Sequence, residues 1–312
     1  MIRGDFHTHT SFCDGKNSAE EMVLAAIERG MPCIGITTHS HTDFDTSYCI
    51  PKHRIEEYRA EIARLKETYR DRITVLCGVE QDLWGTEPTD GYDYVIGSVH
   101  YLWKGDKWFS TDESVDALMR AKDTFYGGDG LAMAEDYFHS VAQIGRLRPH
   151  IIGHFDLIAK CNRDGCLFDE SDPRYLAAAY RAVDALLPLG IPFEINTGAI
   201  SRGYRDVAYP APAILSYIAR QGGRVILSSD AKIYGNTGSA DLRLMVNSPL
   251  GKSGFSIFSM TYGRYNQSTS YIGTGAFQSG SYYNPKTAEF DYDAFHRDFP
   301  DLNNTDAFTK NN

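Results

Sequence analysis

The chain has 312 residues, 42% of them hydrophobic, with 31 basic against 41 acidic side chains and a formal charge of −10. That length fits one large domain or two ordinary ones, with a core that needs no disulfide or metal staples. The acidic balance argues against a nucleic-acid surface. No run of 18 apolar residues marks a membrane span, and the opening MIRGDFHTHT lacks the pattern of a signal peptide. A cytoplasmic globular protein is expected.

In chain order, short apolar runs recur, and each closes on a polar or ionisable residue: 2–9, 33–39, 74–80, 94–100, 150–154, 191–197 and 224–230. Runs of this length, rich in Val and Ile and bounded by Gly or Pro, read as buried parallel strands. Helical patterns separate them. Ser18-Ala-Glu-Glu21 has the form of a capping box, and Gly30 supplies a C-terminal stop. Ile55, Tyr58, Ile62 and Leu65 recur at helical spacing within 54–69, and 175–187 and 213–221 repeat the theme. Strands alternating with helices predict a parallel sheet. Seven runs with a chemical residue at each C-terminal end predict an α/β barrel, whose site lies on that face, rather than an open sheet.

The composition changes after Ala231. Eight asparagines follow it against three before, and Ser, Gly and Tyr are abundant without a sustained period. Residues 1–231 are therefore expected to form the barrel and 232–312 an atypical tail of partly irregular structure. The six cysteines, at 13, 33, 49, 77, 161 and 166, form no CxxC pair and read as reduced thiols rather than a disulfide framework.

The strand ends carry the chemistry. His7 and His9 are two apart and project from one face of a strand. His39, Glu80, His100, His154 and Asp230 end five of the other runs. Imidazole and carboxylate together suit Zn, Mn or Fe, and a set larger than four ligands points to more than one ion. Glu80 can bridge two ions through its two oxygens, and water between divalent ions becomes a nucleophile near neutral pH. His41 contends with His39, which is preferred because the apolar run ends there. Asp43, Asp45 and Asp82 read as solvated loop acids, and His53, His139, His150 and His296 as surface or packing residues.

The segments Asp5-Phe-His7-Thr-His9-Thr-Ser-Phe-Cys13, Ile36-Thr-Thr-His39, Gly78-Val-Glu80, Gly97-Ser-Val-His100-Tyr-Leu, Gly153-His154 and Ser229-Asp230-Ala231 resemble the PHP (polymerase and histidinol phosphatase) family. Its histidinol-phosphate phosphatases are the nearest branch, which Phe193-Glu-Ile-Asn-Thr197, Arg202 and Tyr209-Pro210 also resemble. The resemblance spans roughly 1–231. It implies a distorted seven-stranded (β/α) TIM-like barrel and a centre of two or three divalent ions that hydrolyses phosphomonoesters. By motif, His7, His9, Glu80 and Asp230 would hold one metal, and Glu80, His100 and His154 a second. A third would lie near Asp14 and His39. The family reads Asp-Ala-His where this chain reads Asp230-Ala231-Lys232, and a protonated lysine has no lone pair for a metal.

Glu80, Asp230 and Arg202 are expected to carry catalysis. Arg202, Arg205 and Lys232 are candidates for substrate phosphate, Arg202 first because a guanidinium grips two oxygens at once. The expected function is hydrolysis of L-histidinol phosphate in histidine biosynthesis, with a small phosphorylated metabolite as partner and neither nucleic acid nor membrane. Oligomeric state is unassigned. The rival readings are a phosphatase for another small phosphate, a nuclease, and a metal-binding barrel that has lost catalysis through Lys232 and its tail.

Overall fold

The computed structural model describes residues 4–232 and, beyond them, the backbone of two antiparallel pairs, Leu244–Pro249 with Phe255–Met260 and Tyr283–Asn284 with Glu289–Phe290. The rest of the expected 232–312 tail lies outside the described residues.

The elements follow the sequence closely in the first third of the chain. Helix α1 (Ala19–Glu28) begins at the capping box, with Ser18 and Glu21 exchanging hydrogen bonds, and stops before Gly30 at φ 67°. Strand β1 (Cys33–His39), helix α2 (Ile55–Thr68), strand β2 (Thr74–Asp82) and strand β3 (Tyr94–Ser98) come next. A hairpin of β4 (Tyr101–Lys104) and β5 (Lys107–Ser110) and two helices, α3 (Val115–Tyr126) and α4 (Gly130–Val141), then intervene. The sequence reading had not placed these. Strand β6 is only Ile151–Ile152, followed by α5 (Pro173–Leu186), β7 (Phe193–Asn196), α6 (Gly198–Ser201), α7 (Pro212–Arg220) and β8 (Val225–Ser228).

Six strands form one curled parallel sheet in the order β1-β2-β3-β6-β7-β8. The first expected strand is not a seventh member of this ladder. Its residues instead bridge both edges: Asp5 pairs with Ile34, and Thr8 with Ala231. Backbone bonds from Gly35 N to Asp5 O (2.7 Å) and from His9 N to Ala231 O (2.8 Å) fix the segment between the two edges. Asp5 adds a side-chain tie, accepting from Ser229 N (3.1 Å) and from Ser229 Oγ.

Alternation divides each strand between two environments. Ile34 and Ile36 of β1 and Val75 and Cys77 of β2 face outward into a core with Met22, Val23, Tyr58 and Ile62 of α1 and α2. A larger core lies under α3, α4, α5 and α7, around Leu118, Phe138, Tyr175 and Phe193. The inner face has an apolar floor of Phe6, Leu76, Tyr94, Ile96, Ile151 and Ile226. Tyr94 occupies space left by two glycines. A Cβ on Gly78 would lie 2.2 Å from its ring, and one on Gly35 2.2 Å from its hydroxyl. Above the floor, the same face turns polar toward the C-terminal strand ends.

Candidate metal centre

Steps of two residues lead up β2 from Leu76 through Gly78 to Glu80, so the carboxylate stands on the inner face above the floor. His39 ends β1, His100 and His154 follow β3 and β6, and Asp230 follows β8. His7 and His9 come from the bridging segment. All are buried, His7 and Glu80 almost completely. Asp230 holds a left-handed backbone at φ 49°, a conformation that non-glycine residues seldom adopt and that clusters at functional sites.

Glu80 divides the cluster between its two oxygens. Oε2 lies 3.1 Å from His7 Nε2, 3.6 Å from His9 Nε2 and 3.0 Å from His39 Nδ1. Oε1 lies 2.8 Å from His154 Nε2 and 3.2 Å from His100 Nε2, and accepts from Ser98 Oγ at 2.7 Å. His9 Nε2 is also 3.4 Å from Asp230 Oδ1. Among the described residues, the donor atoms form four compact groups: His7–His9–Asp230, His9–His39–Glu80, Glu80–His100–His154, and His9–Cys13–Asp14. His39 thus sits with Glu80 as well as near Asp14 Oδ1 (3.7 Å), whereas His41 turns away to the Ile50 carbonyl.

Two carboxylates outside the expected ligand set position these imidazoles. Glu194, fully buried, contacts His7 Nδ1 at 2.6 Å through one oxygen and accepts from His154 N and Asn196 Nδ2 through the other. A glutamate inside the apolar run Phe193-Glu-Ile was the available signal. Asp82 overturns the expectation of a solvated loop acid. It is buried at the end of β2, accepts from His100 N at 2.8 Å and lies 3.3 Å from His100 Nδ1. Such partners fix which ring nitrogen is free and raise ligand basicity.

The electrostatics call for positive charge. Burial opposes ionisation of Glu80 and Asp230. For Glu80 the surrounding imidazoles outweigh burial, and for Asp230 the Arg202 guanidinium does so first, followed by His7 and His9; both carboxyls are held well below the usual range. Burial also opposes charge on His7 and His100, yet Glu194 and Glu80 lift the first well above the ordinary imidazole value, and Glu80 lifts the second to about 10. His9 is pushed down to about 4 by burial and by His39 beside it. His9 Nε2, His154 Nδ1 and Asp14 Oδ1 are buried without hydrogen bonds. Hard and borderline donors, buried, converging and partly unpartnered, fit divalent ions such as zinc or manganese.

The three cationic candidates differ. Arg202, at the end of α6, donates to the Asp230 carbonyl (2.6 Å) and to Asp230 Oδ2 (2.9 Å), and its side chain keeps 27% exposure at the rim. Arg205 is committed elsewhere, to Glu170 (2.8 and 3.2 Å) and the Ala159 carbonyl (2.7 Å), so the expectation that it holds phosphate has no free donor fork behind it. Lys232 reaches Asp14. Burial opposes its charge, but Asp230 and Asp14 outweigh burial and raise its pKa.

Five histidines, Glu80 and Asp230, gathered at the C-terminal end of a curled parallel sheet with Asp14 beside them, make an α/β protein with clusters able to hold metal ions. Residues 5–198 match the PHP domain, and the chain belongs to that family. Two curated relatives bear the name "probable histidinol-phosphatase". The one from Deinococcus radiodurans is 31% identical over 75% of this chain and 88% of its own, and the one from Schizosaccharomyces pombe 29% identical over 72% and 79%. The fold is similar to that of a solved histidinol phosphate phosphatase from Lactococcus lactis subsp. lactis, complexed with zinc, L-histidinol and phosphate. That likeness has a TM-score of 0.56 at 20% identity and covers 75% of this chain and 88% of that one.

Proposed function

We propose that the chain is a metal-dependent phosphomonoesterase that hydrolyses L-histidinol phosphate to L-histidinol and phosphate. One observation carries the reading: each oxygen of the buried Glu80 faces its own set of imidazoles, the arrangement needed to hold two ions side by side. The names of the relatives and the ligands of the Lactococcus protein supply the substrate class. Divalent ions here would supply Lewis acidity toward the phosphoryl oxygens and acidify water.

In this reading His7, His9, Glu80 and Asp230 would hold one ion, and Glu80, His100 and His154 the other, with His39 and Asp14 beside them. Glu194 and Asp82 keep His7 and His100 in the ligating orientation. Both Nη groups of Arg202 hold Asp230, one through its carbonyl and one through its carboxylate, and the N–H donors left on the partly exposed guanidinium would meet a phosphoryl oxygen, so that charge gathering on phosphate is met by a fixed cation. The leaving alcohol has an aromatic flank. Tyr48 lies 4.9 Å from His39 and 5.9 Å from Tyr101, and Phe44 lies 4.9 Å from Tyr101 and stacks on Trp108 at 4.4 Å. A flat imidazole ring suits such a wall.

The bridging segment at 5–9 is counted as the seventh strand of a distorted barrel, with residues 1–231 as the catalytic unit and 232–312 as an appendage. The test is phosphate release from histidinol phosphate by zinc- or manganese-loaded protein, with Glu80→Gln beside it. Release by the natural chain, with loss of both metal and rate in a folded Glu80→Gln, is the expected result. No release by the natural chain, or a variant that keeps metals and rate, would overturn the proposal.

A further inference from the structure

At the edge of the centre, the His9–Cys13–Asp14 group already carries a cation belonging to the chain. Lys232 Nζ donates to Asp14 Oδ2. The backbone delivers it there: Ala231 N donates to His7 O at 3.2 Å, His9 N to Ala231 O at 2.8 Å, and Lys16 N to Lys232 O at 2.8 Å. Position 232 is thus held on both sides to the segment that supplies His7, His9 and Asp14. The lysine side chain is 30% exposed and Asp14 23%, so the ammonium stands between the cluster and the solvent-facing rim.

We propose that the Lys232 ammonium is the third cation of this site, seated on Asp14 in place of a third divalent ion and offering its remaining N–H donors to a substrate phosphoryl oxygen. This rests on the phosphoesterase reading above. An ammonium has three donors and no acceptor, so with one spent on Asp14 two remain for an incoming anion. A divalent ion on the same carboxylate would face a neighbouring positive charge with little water to screen it. His9 Nε2 faces Asp230 and Glu80, and His39 Nδ1 faces Glu80 at 3.0 Å, while His9 Nδ1 and His39 Nε2 each lie 3.7 Å from Asp14 Oδ1, beside the seat the ammonium takes. Arg202 holds Asp230, two residues before Lys232. The centre thus carries one guanidinium and one ammonium, both able to meet a tetrahedral dianion.

The test counts metal in the desalted, zinc-loaded full chain by elemental mass spectrometry and measures inorganic phosphate binding by calorimetry. Two ions per chain are expected for the natural protein and for Lys232→Arg, and three for Lys232→His, where an imidazole lone pair replaces the ammonium. Lys232→Met, neutral and of similar length, should bind inorganic phosphate at least about tenfold more weakly. Three tightly held ions in the natural chain, or unchanged phosphate affinity in a folded Lys232→Met, would overturn the assignment. If the natural chain holds three ions and still hydrolyses histidinol phosphate, only the role of the ammonium fails. If no variant holds metal or releases phosphate, the phosphoesterase reading fails with it.

Discussion

A carboxylate facing five imidazoles stays ionised because its neighbours supply the charge that burial withholds, and in this cluster each group is held by others one step further out. Glu194 is the clearest case, with one oxygen on His7 and the other on the backbone of His154. Glu194→Gln keeps the shape and removes the charge, so metal affinity or rate should fall roughly 10–100-fold while the fold survives. Metal titration of the variant with circular dichroism as a control checks this, and unchanged affinity would reduce Glu194 to a packing residue. Arg202→Ala should cost about 1.5–3 kcal/mol in kcat/KM, the value of a charged hydrogen bond, and Arg202→Lys should restore only part because a point charge cannot reproduce the fork. Steady-state kinetics across a full substrate range decides it. Equal kcat/KM in all three proteins would place Arg202 outside the reaction. Most of the ligand candidates were legible because they close apolar runs; Asp14, outside any run, came from the family resemblance alone. It hid Asp82 and Glu194, since a carboxylate's burial depends on partners more than 15 residues away, here His100 and His7. It also gave Arg205 a role beside Arg202 because nothing local shows that Glu170 occupies its fork.

Strands were more legible than helices, for a reason visible in the packing. A strand between an outer helix layer and an inner face reads as a short apolar run, as Cys33–His39 and Tyr94–Ser98 do. Helix α4 buries Met133, Ala134, Tyr137, Phe138 and Val141, a helical spacing with Glu135, Asp136 and His139 on the other face, so its period stands in the sequence and went unread. Helix α3 buries only Leu118 and Ala121, too small a stripe to stand out. Nor does an apolar run reveal which strand positions must lack a side chain. Tyr94 donates to the Phe6 carbonyl at 2.7 Å and lies 2.7 Å from Thr37 Oγ1, pinned across the floor where Gly35 and Gly78 leave room. Because the ring is held by those contacts, it cannot move aside cheaply. Gly78→Ala should therefore destabilise the fold by about 1–3 kcal/mol or more through overpacking. It should also disturb Glu80 two residues along the same strand. Denaturant unfolding measures the first effect and metal titration the second. A variant as stable as the natural chain would show that the floor is loosely packed.

At the scale of the whole molecule, the centre joins the two edges of the parallel sheet, since His7 and His9 stand on the bridging segment and Asp230 follows β8, the last strand of that sheet. Ions held there would cross-link elements far apart in sequence, and binding to the folded form alone stabilises it by mass action. Protons compete for the same place. Burial opposes charge on His100, but Glu80 outweighs it and, with no metal present, pushes the imidazole up from 6.5 to about 10. A raised imidazole pKa contributes stability that is fully present below 6.5 and is lost as pH rises toward 10, so the metal-free protein should weaken across that range. His7, also raised, adds to the same trend. The metal-loaded protein has no such dependence on these protons, because ions take the nitrogens and release them. The difference in Tm between metal-loaded and chelator-treated protein should therefore widen from pH 6.5 to 9. Metal binding at neutral pH should release protons, seen as a binding enthalpy that changes with the ionisation enthalpy of the buffer. A Tm difference that stays constant or narrows with pH, with no buffer dependence, would mean that His7 and His100 do not exchange protons for metal.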